Sequence, residues 1–147
     1  MSDGRHSKRR GAIKVFLSHS NVDTEVARKV RNLLVHRTSA QVFMSEDLNA
    51  GEKWETKLRN ELASADVVLA LLTPQSVDSS WVLLEIGAAW ALEIPIIPVI
   101  TRRDVLNKMP VSLEGTRTIA LSDITSAENA GKFVAAFEDS LATSQIA

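Results

Sequence analysis

Apolar positions along the chain alternate between two spacings, and the switches divide it into strands and helices. AIKVFL, residues 12–17, is a short apolar run of strand length. Val26, Val30, Leu33 and Leu34 then recur at i, i+4, i+7 and i+8, which predicts an amphipathic helix closing near Arg37. AQVFM at 40–44 is a second strand, and Trp54, Leu58 and Leu62 mark a second helix. DVVLALL at 66–72 reads as a buried strand. It is followed by the polar turn TPQSVDSS and a third helix over Trp81–Leu92. PIIPVI at 95–100 and a weaker RTIAL at 117–121 complete the strands. Phe133, Val134, Phe137 and Leu141 mark a closing helix.

Strands alternating with helices predict a parallel sheet joined by crossovers, and continuously apolar strands predict cover on both faces. The expected fold is therefore α/β, a flavodoxin-like doubly wound five-stranded sheet of order 2-1-3-4-5. It should form one domain over residues 12–143, between a basic, solvated leader at 1–11 and a short tail at 144–147. Pro98 interrupts the fourth strand, because it offers no N–H to a ladder. Pairing between the fourth and fifth strands should therefore be short or irregular. In such sheets ligands bind at the carboxyl ends of the strands, near the switch point between strands one and three. That end holds Ser18-His19-Ser20-Asn21, Ser45 to Glu52, and Thr73 to Ser80.

Composition narrows the function. A net charge of −1 over 147 residues gives no global field to attract nucleic acid or an anionic membrane. The absence of cysteine removes disulfides, thiolate nucleophiles and thiolate metal sites, and fits a reducing, cytoplasmic setting. No apolar segment has signal-peptide or membrane-spanning length. No GxGxxG follows the first strand and no GxxxxGK(S/T) occurs, so neither a Rossmann dinucleotide site nor a P-loop is expected. LSHS and LLTP stand where a response-regulator receiver needs its acidic residues. Ser18, His19 and Ser20 lack a GxSxG context, and their hydroxyls are expected to cap the loop and the next helix. The three histidines have no HExxH spacing, so no metal site is expected.

One residue stands out. Between Trp81 and Leu92 the only charged side chain is Glu85, and its neighbours at three and four positions are Trp81, Val82, Ala88 and Ala89. Burying an unpaired carboxylate is costly, so such a group needs a reason. Three readings compete: a structural ion pair, a cap on a nearby backbone group, or a carboxylate aimed into a cleft. Trp81, one turn earlier, favours the cleft, since an aromatic plane beside a carboxylate suits a flat ring next to a developing cation. Trp90 lies nine residues on, about half a turn round, and is expected in the core or at a subunit interface.

FLSHSNVD at 16–23 resembles the first conserved box of the Toll/interleukin-1 receptor (TIR) domain family. MSEDLNAGEKW at 44–54 is similar to the family's BB loop, and SSWVLLEI at 79–86 to the box in which Trp and Glu sit four residues apart. The resemblance to the bacterial NAD-cleaving branch implies that Glu85 is the catalytic residue for breaking the nicotinamide–ribose bond, by hydrolysis or cyclisation. It implies that Trp81, His19, Ser20, Asn21 and the BB-loop residues Asp47, Leu48 and Asn49 contact substrate. NAD+ would be substrate, with no other cofactor. Ser20 and Asn21 are neutral where some relatives carry arginine, so phosphates would rest on backbone N–H groups.

The same resemblance implies a homo-oligomer formed through the BB loop and the Trp81–Leu92 helix. It also implies a separate sensor or effector partner and a role in defence or stress signalling. A non-catalytic TIR assembly module and a nucleoside deoxyribosyltransferase-like enzyme are the alternatives.

Overall fold

The computed structural model describes residues 12–45, 53–108 and 117–143. Five strands, β1 (Lys14–Ser18), β2 (Gln41–Met44), β3 (Val67–Leu72), β4 (Ile96–Ile100) and β5 (Ile119–Ala120), form one sheet. The order is β2-β1-β3-β4-β5, and each neighbouring pair is parallel. This is the expected 2-1-3-4-5 arrangement. The helices are α1 (Thr24–Arg37), α2 (Trp54–Ala63), α3 (Ser80–Ala91) and α4 (Ala127–Thr143), with 3-10 turns at Asn21–Asp23 and Arg103–Lys108.

Side-chain alternation along the strands builds two cores. Val15 and Leu17 of β1 join Val67, Leu69 and Leu71 of β3 on one face, under Ala27, Val30 and Leu34 of α1 and Phe133 and Phe137 of α4. Phe16, Val68, Ala70 and Leu72 point to the other face, under Leu62 of α2 and Val82, Ile86 and Ala89 of α3. Cover on both faces is why β3 is apolar and buried at every position. Ser18 shares the parity of Phe16 and therefore faces α2 and α3.

Pro98 acts as the sequence suggests. Val68 N–H donates to the Pro95 carbonyl, and Leu121 N–H donates to the Ile100 carbonyl. In a parallel strand alternate residues bond to opposite neighbours, so Pro98 turns its donorless nitrogen toward β5. The ladder to β5 is confined to Val99↔Ile119 and Ile100↔Ala120. Strand β5 is accordingly only Ile119–Ala120, shorter than the RTIAL run predicts.

Candidate active site

Helix α3 begins where its sequence supplies a cap. The Ser79 hydroxyl accepts the Val82 N–H at 3.4 Å, satisfying one of the first-turn donors. At the other end Glu93 takes φ 58, Glu93 N–H bonds the Trp90 carbonyl and Ile94 N–H bonds that of Ala89. That pair of bonds is a Schellman termination built on glutamate instead of glycine. Between the two caps, Val82, Glu85, Ile86 and Ala89 are the buried residues. The lone carboxylate therefore sits on the face that packs against the sheet.

Glu85 is 2% exposed. Ser18 Oγ, at the C-terminal end of β1, donates to Glu85 Oε1 at 2.5 Å. A bond this short is characteristic of a hydroxyl donating to a carboxylate. Ser18 pairs with Ala70 across the β1–β3 ladder, and two small side chains side by side leave room above the sheet for a glutamate. Glu85 Oε2 is buried and has no hydrogen-bond partner among the described residues. Burial raises the Glu85 pKa to about 7, against the opposing pull of hydrogen bonds from Ser18 and Trp81. Of the three sequence readings, no ion pair to Glu85 occurs among the described residues. Among the described residues its hydrogen-bond partners are the side chains of Ser18 and Trp81, not backbone groups.

Two openings lie along α3, and the carboxylate lines the smaller one. The larger, about 650 Å³, is lined by His19, Asn21, Thr24, Arg28, Ser45, Ser79 and Trp81. It lies at the carboxyl ends of β1 and β2 and at the N-terminus of α3, where the topology predicts a ligand. The smaller, about 220 Å³, lies between α2 and α3 and is lined by Glu55, Leu58, Arg59, Leu62, Leu84, Glu85 and Ala88. Among the described residues, then, Trp81 and Glu85 line different openings, although one helical turn separates them. The Trp81 indole N–H donates to Ser45 Oγ at 3.3 Å, which ties α3 to the end of β2.

The first loop departs from the capping role expected of it. Ser18 holds Glu85. Ser20 stands before the Asn21–Asp23 turn but caps no backbone group; its hydroxyl donates to Asp23 at 3.2 Å. Asp23 also accepts the Thr73 hydroxyl at 2.8 Å, so a buried carboxylate clamps the loops after β1 and β3 together. Ser20 is buried and is not part of the cavity lining. His19 is 3% exposed, and its Nδ1 lies 2.8 Å from the Ser20 carbonyl. A carbonyl only accepts, so Nδ1 donates to it, and Nε2 is buried without a partner among the described residues.

His19, Asn21 and Trp81 therefore meet in one cavity, Glu85 lines the neighbouring opening between α2 and α3, and Ser20 supports the loop. Asp47, Leu48 and Asn49 lie outside the described residues. Sequence reading missed Arg28, which brings a cation to the cavity wall, and Asp23. Both fall in or beside an amphipathic helix whose polar face gave no reason to single them out. Trp90 is 63% exposed, so the core alternative for it is excluded.

The TIR domain family profile matches residues 15–138, and the chain belongs to that family. No curated protein sequence matches it. Among solved structures, a metazoan TIR-STING receptor from C. gigas, in complex with 2',3'-cGAMP, is similar over 83% of this chain at 21% identity and TM-score 0.65. Another structure of a TIR-STING receptor from C. gigas matches 83% of the chain at 18% identity and TM-score 0.59. The chain spans 38% and 39% of those two chains. A 2-desoxiribosyltransferase from Leishmania mexicana aligns over 61% of this chain and 65% of its own at 17% identity and TM-score 0.49. At these identities the likeness concerns the fold. No helix among the described residues is long and apolar enough to cross a membrane.

Proposed function

We propose that this TIR domain cleaves NAD+ at the nicotinamide–ribose bond, with Glu85 as the catalytic carboxylate. The observation that carries the reading is a glutamate 2% exposed, anchored through one oxygen, its other oxygen unpartnered among the described residues, at the ligand end of the sheet. Burying such a group is costly, and that cost is what supports a functional role. Loss of nicotinamide leaves an oxocarbenium-like ribose, and a fixed carboxylate in a water-poor site stabilises that charge strongly. The leaving base is already cationic in NAD+, so no general acid is required and one carboxylate suffices.

Trp81 and Asn21 supply walls, Arg28 a cation for the pyrophosphate, and His19 Nε2 a polar contact for the substrate. Asp47, Leu48 and Asn49 would close over the substrate from the BB loop. The product is ADP-ribose by hydrolysis or its cyclic form. We place the activity in a bacterial-type defence or stress pathway in the cytoplasm, under a separate sensing partner.

A second reading, a non-catalytic assembly module, is favoured by a different feature. Leu84, Trp90 and Leu92 on and just after α3 are 61%, 63% and 54% exposed. Large apolar side chains at such exposure suit a subunit contact. The two readings are compatible if assembly through α3 and the BB loop completes the site. Incubating concentrated protein with NAD+ and identifying the products by mass separates them. Nicotinamide release supports the enzyme, and its absence from assembled protein supports the module.

A further inference from the structure

The last residue of β1 has two features that a loop-capping serine would not share. Ser18 is fully buried, and its hydroxyl proton is committed across 67 residues of chain to Glu85 Oε1 at 2.5 Å. A serine hydroxyl has one proton to give, so it fixes one carboxylate oxygen and leaves the other without a donor among the described residues. Strand parity allows the contact: with Phe16 facing α3, Ser18 faces it as well, and the small Ala70 beside it leaves room for Glu85.

We propose that Ser18 is a positioning residue, whose hydroxyl holds Glu85 by Oε1 and presents Oε2 as the oxygen that meets the ligand. The proposal rests on Glu85 being the working carboxylate, but its physical core is a contact that exists with or without substrate. The hydroxyl has a second effect. It donates to the charged form of a carboxylate that burial drives toward the neutral form, so it keeps more of Glu85 ionised near neutral pH. The Trp81 indole is the other hydrogen-bond partner of Glu85, and further titratable groups stand around it. Glu55 and Arg59 line the same opening from α2, and His19 and Asp23 follow Ser18 on the β1 loop. Strand β3 contributes only apolar side chains. None of the titratable groups hydrogen-bonds Glu85 among the described residues, and Trp81 is left in place by substitutions at Ser18, so the Ser18 contribution is separable by substitution.

The test is a carboxyl carbon-13 NMR titration of the intact chain labelled at glutamate, with Glu85→Gln identifying the Glu85 resonance. In Ser18→Ala the Glu85 midpoint should rise by about one pH unit, the scale of a lost hydrogen bond to a charged group. Ser18→Cys keeps nearly the same volume with a weak donor and should shift the midpoint in the same direction, which preserves the test if the alanine variant unfolds. Ser18→Thr keeps the hydroxyl and should restore the wild-type value. If the Ala or Cys variant folds and titrates like the wild type, the proposal is overturned. The titration requires no turnover, so its failure is distinct from failure of the NAD+ reading. Where turnover is present, the acid limb of the rate profile should move with the titration.

Discussion

Ser45 Oγ, just past the end of β2, accepts the indole N–H of Trp81 at 3.3 Å. Both residues line the larger cavity, so the bond helps to hold the ring that forms part of its wall. Trp81→Phe retains most of the aromatic surface but loses the bond. Trp81→Ala loses both. Under the NAD+ reading the alanine variant should raise KM and lower kcat, together reducing kcat/KM by about tenfold to a hundredfold, as positioning losses do. The phenylalanine variant should fall between it and the wild type. Steady-state kinetics of the pair check this. Equal activity in all three would remove Trp81 from the site.

The raised pKa of Glu85 gives a signed pH dependence. The carboxylate is the form that stabilises a cationic ribose, so kcat/KM should rise with pH along a limb with its midpoint at about 7. Stability should move the other way. A carboxyl group whose folded pKa lies above its unfolded value of 4.5 binds its proton more tightly in the native state. Its favourable contribution is fully present below about 4.5 and is lost as pH rises to about 7. Glu85→Gln removes this loss. Relative to wild type, that variant should gain about 3 kcal/mol between pH 4.5 and pH 8, read from urea unfolding at the two pH values. A difference between the proteins that does not vary with pH would contradict the burial argument.

The exposed side chains of α3 predict the behaviour of the assembly. Trp90→Lys places a charge where the wild type presents an aromatic ring at 63% exposure. An exposed site tolerates the substitution, so the melting temperature should stay within a degree or two. Self-association, measured by sedimentation at rising concentration, should weaken, and concentration-dependent turnover should weaken with it. Unchanged association would show that this face is not the contact.

The C-terminal end of α3 offers a prediction independent of function. Glu93 holds φ 58, a conformation that glycine adopts without the steric penalty of a Cβ. Glu93→Gly should stabilise the domain by about 0.5–1 kcal/mol, since the relief of strain exceeds the added freedom of the unfolded chain. A thermal melt two to four degrees higher, on the order of that energy, is the expected readout. A lower melting point would mean that Glu93 makes a contact worth more than the strain.

The fold was legible because each strand and helix carries its own period, and because Pro98 removes a donor from a predictable side of β4. Strand ends were less legible. Ala12 and Ile13 are apolar yet precede β1: the residue register with β2 starts at Lys14↔Gln41, and Ile13 contributes only its carbonyl, which accepts the Gln41 N–H. Glu85 stood out because a charge in an apolar helix is visible in composition alone. Ser18 did not, because a serine at a strand end looks like a loop cap until strand parity is followed one residue beyond Phe16. Asp23 was hidden for a similar reason: as a polar residue before a helix it suggests an N-cap, yet it makes no capping bond and receives Ser20 and Thr73 instead. Arg28 depends on which way the polar side of α1 faces, and the period of its apolar side does not fix that.

The measurement closest to the central claim is nicotinamide release from NAD+ by concentrated wild-type protein and by Glu85→Gln. Glutamine keeps the shape of the side chain and loses its charge, so the comparison isolates the carboxylate. Wild-type protein should release nicotinamide, and the variant should be slower by about a hundredfold or more, the scale of losing one preorganised electrostatic contact. Equal release by the two proteins would contradict the assignment of Glu85.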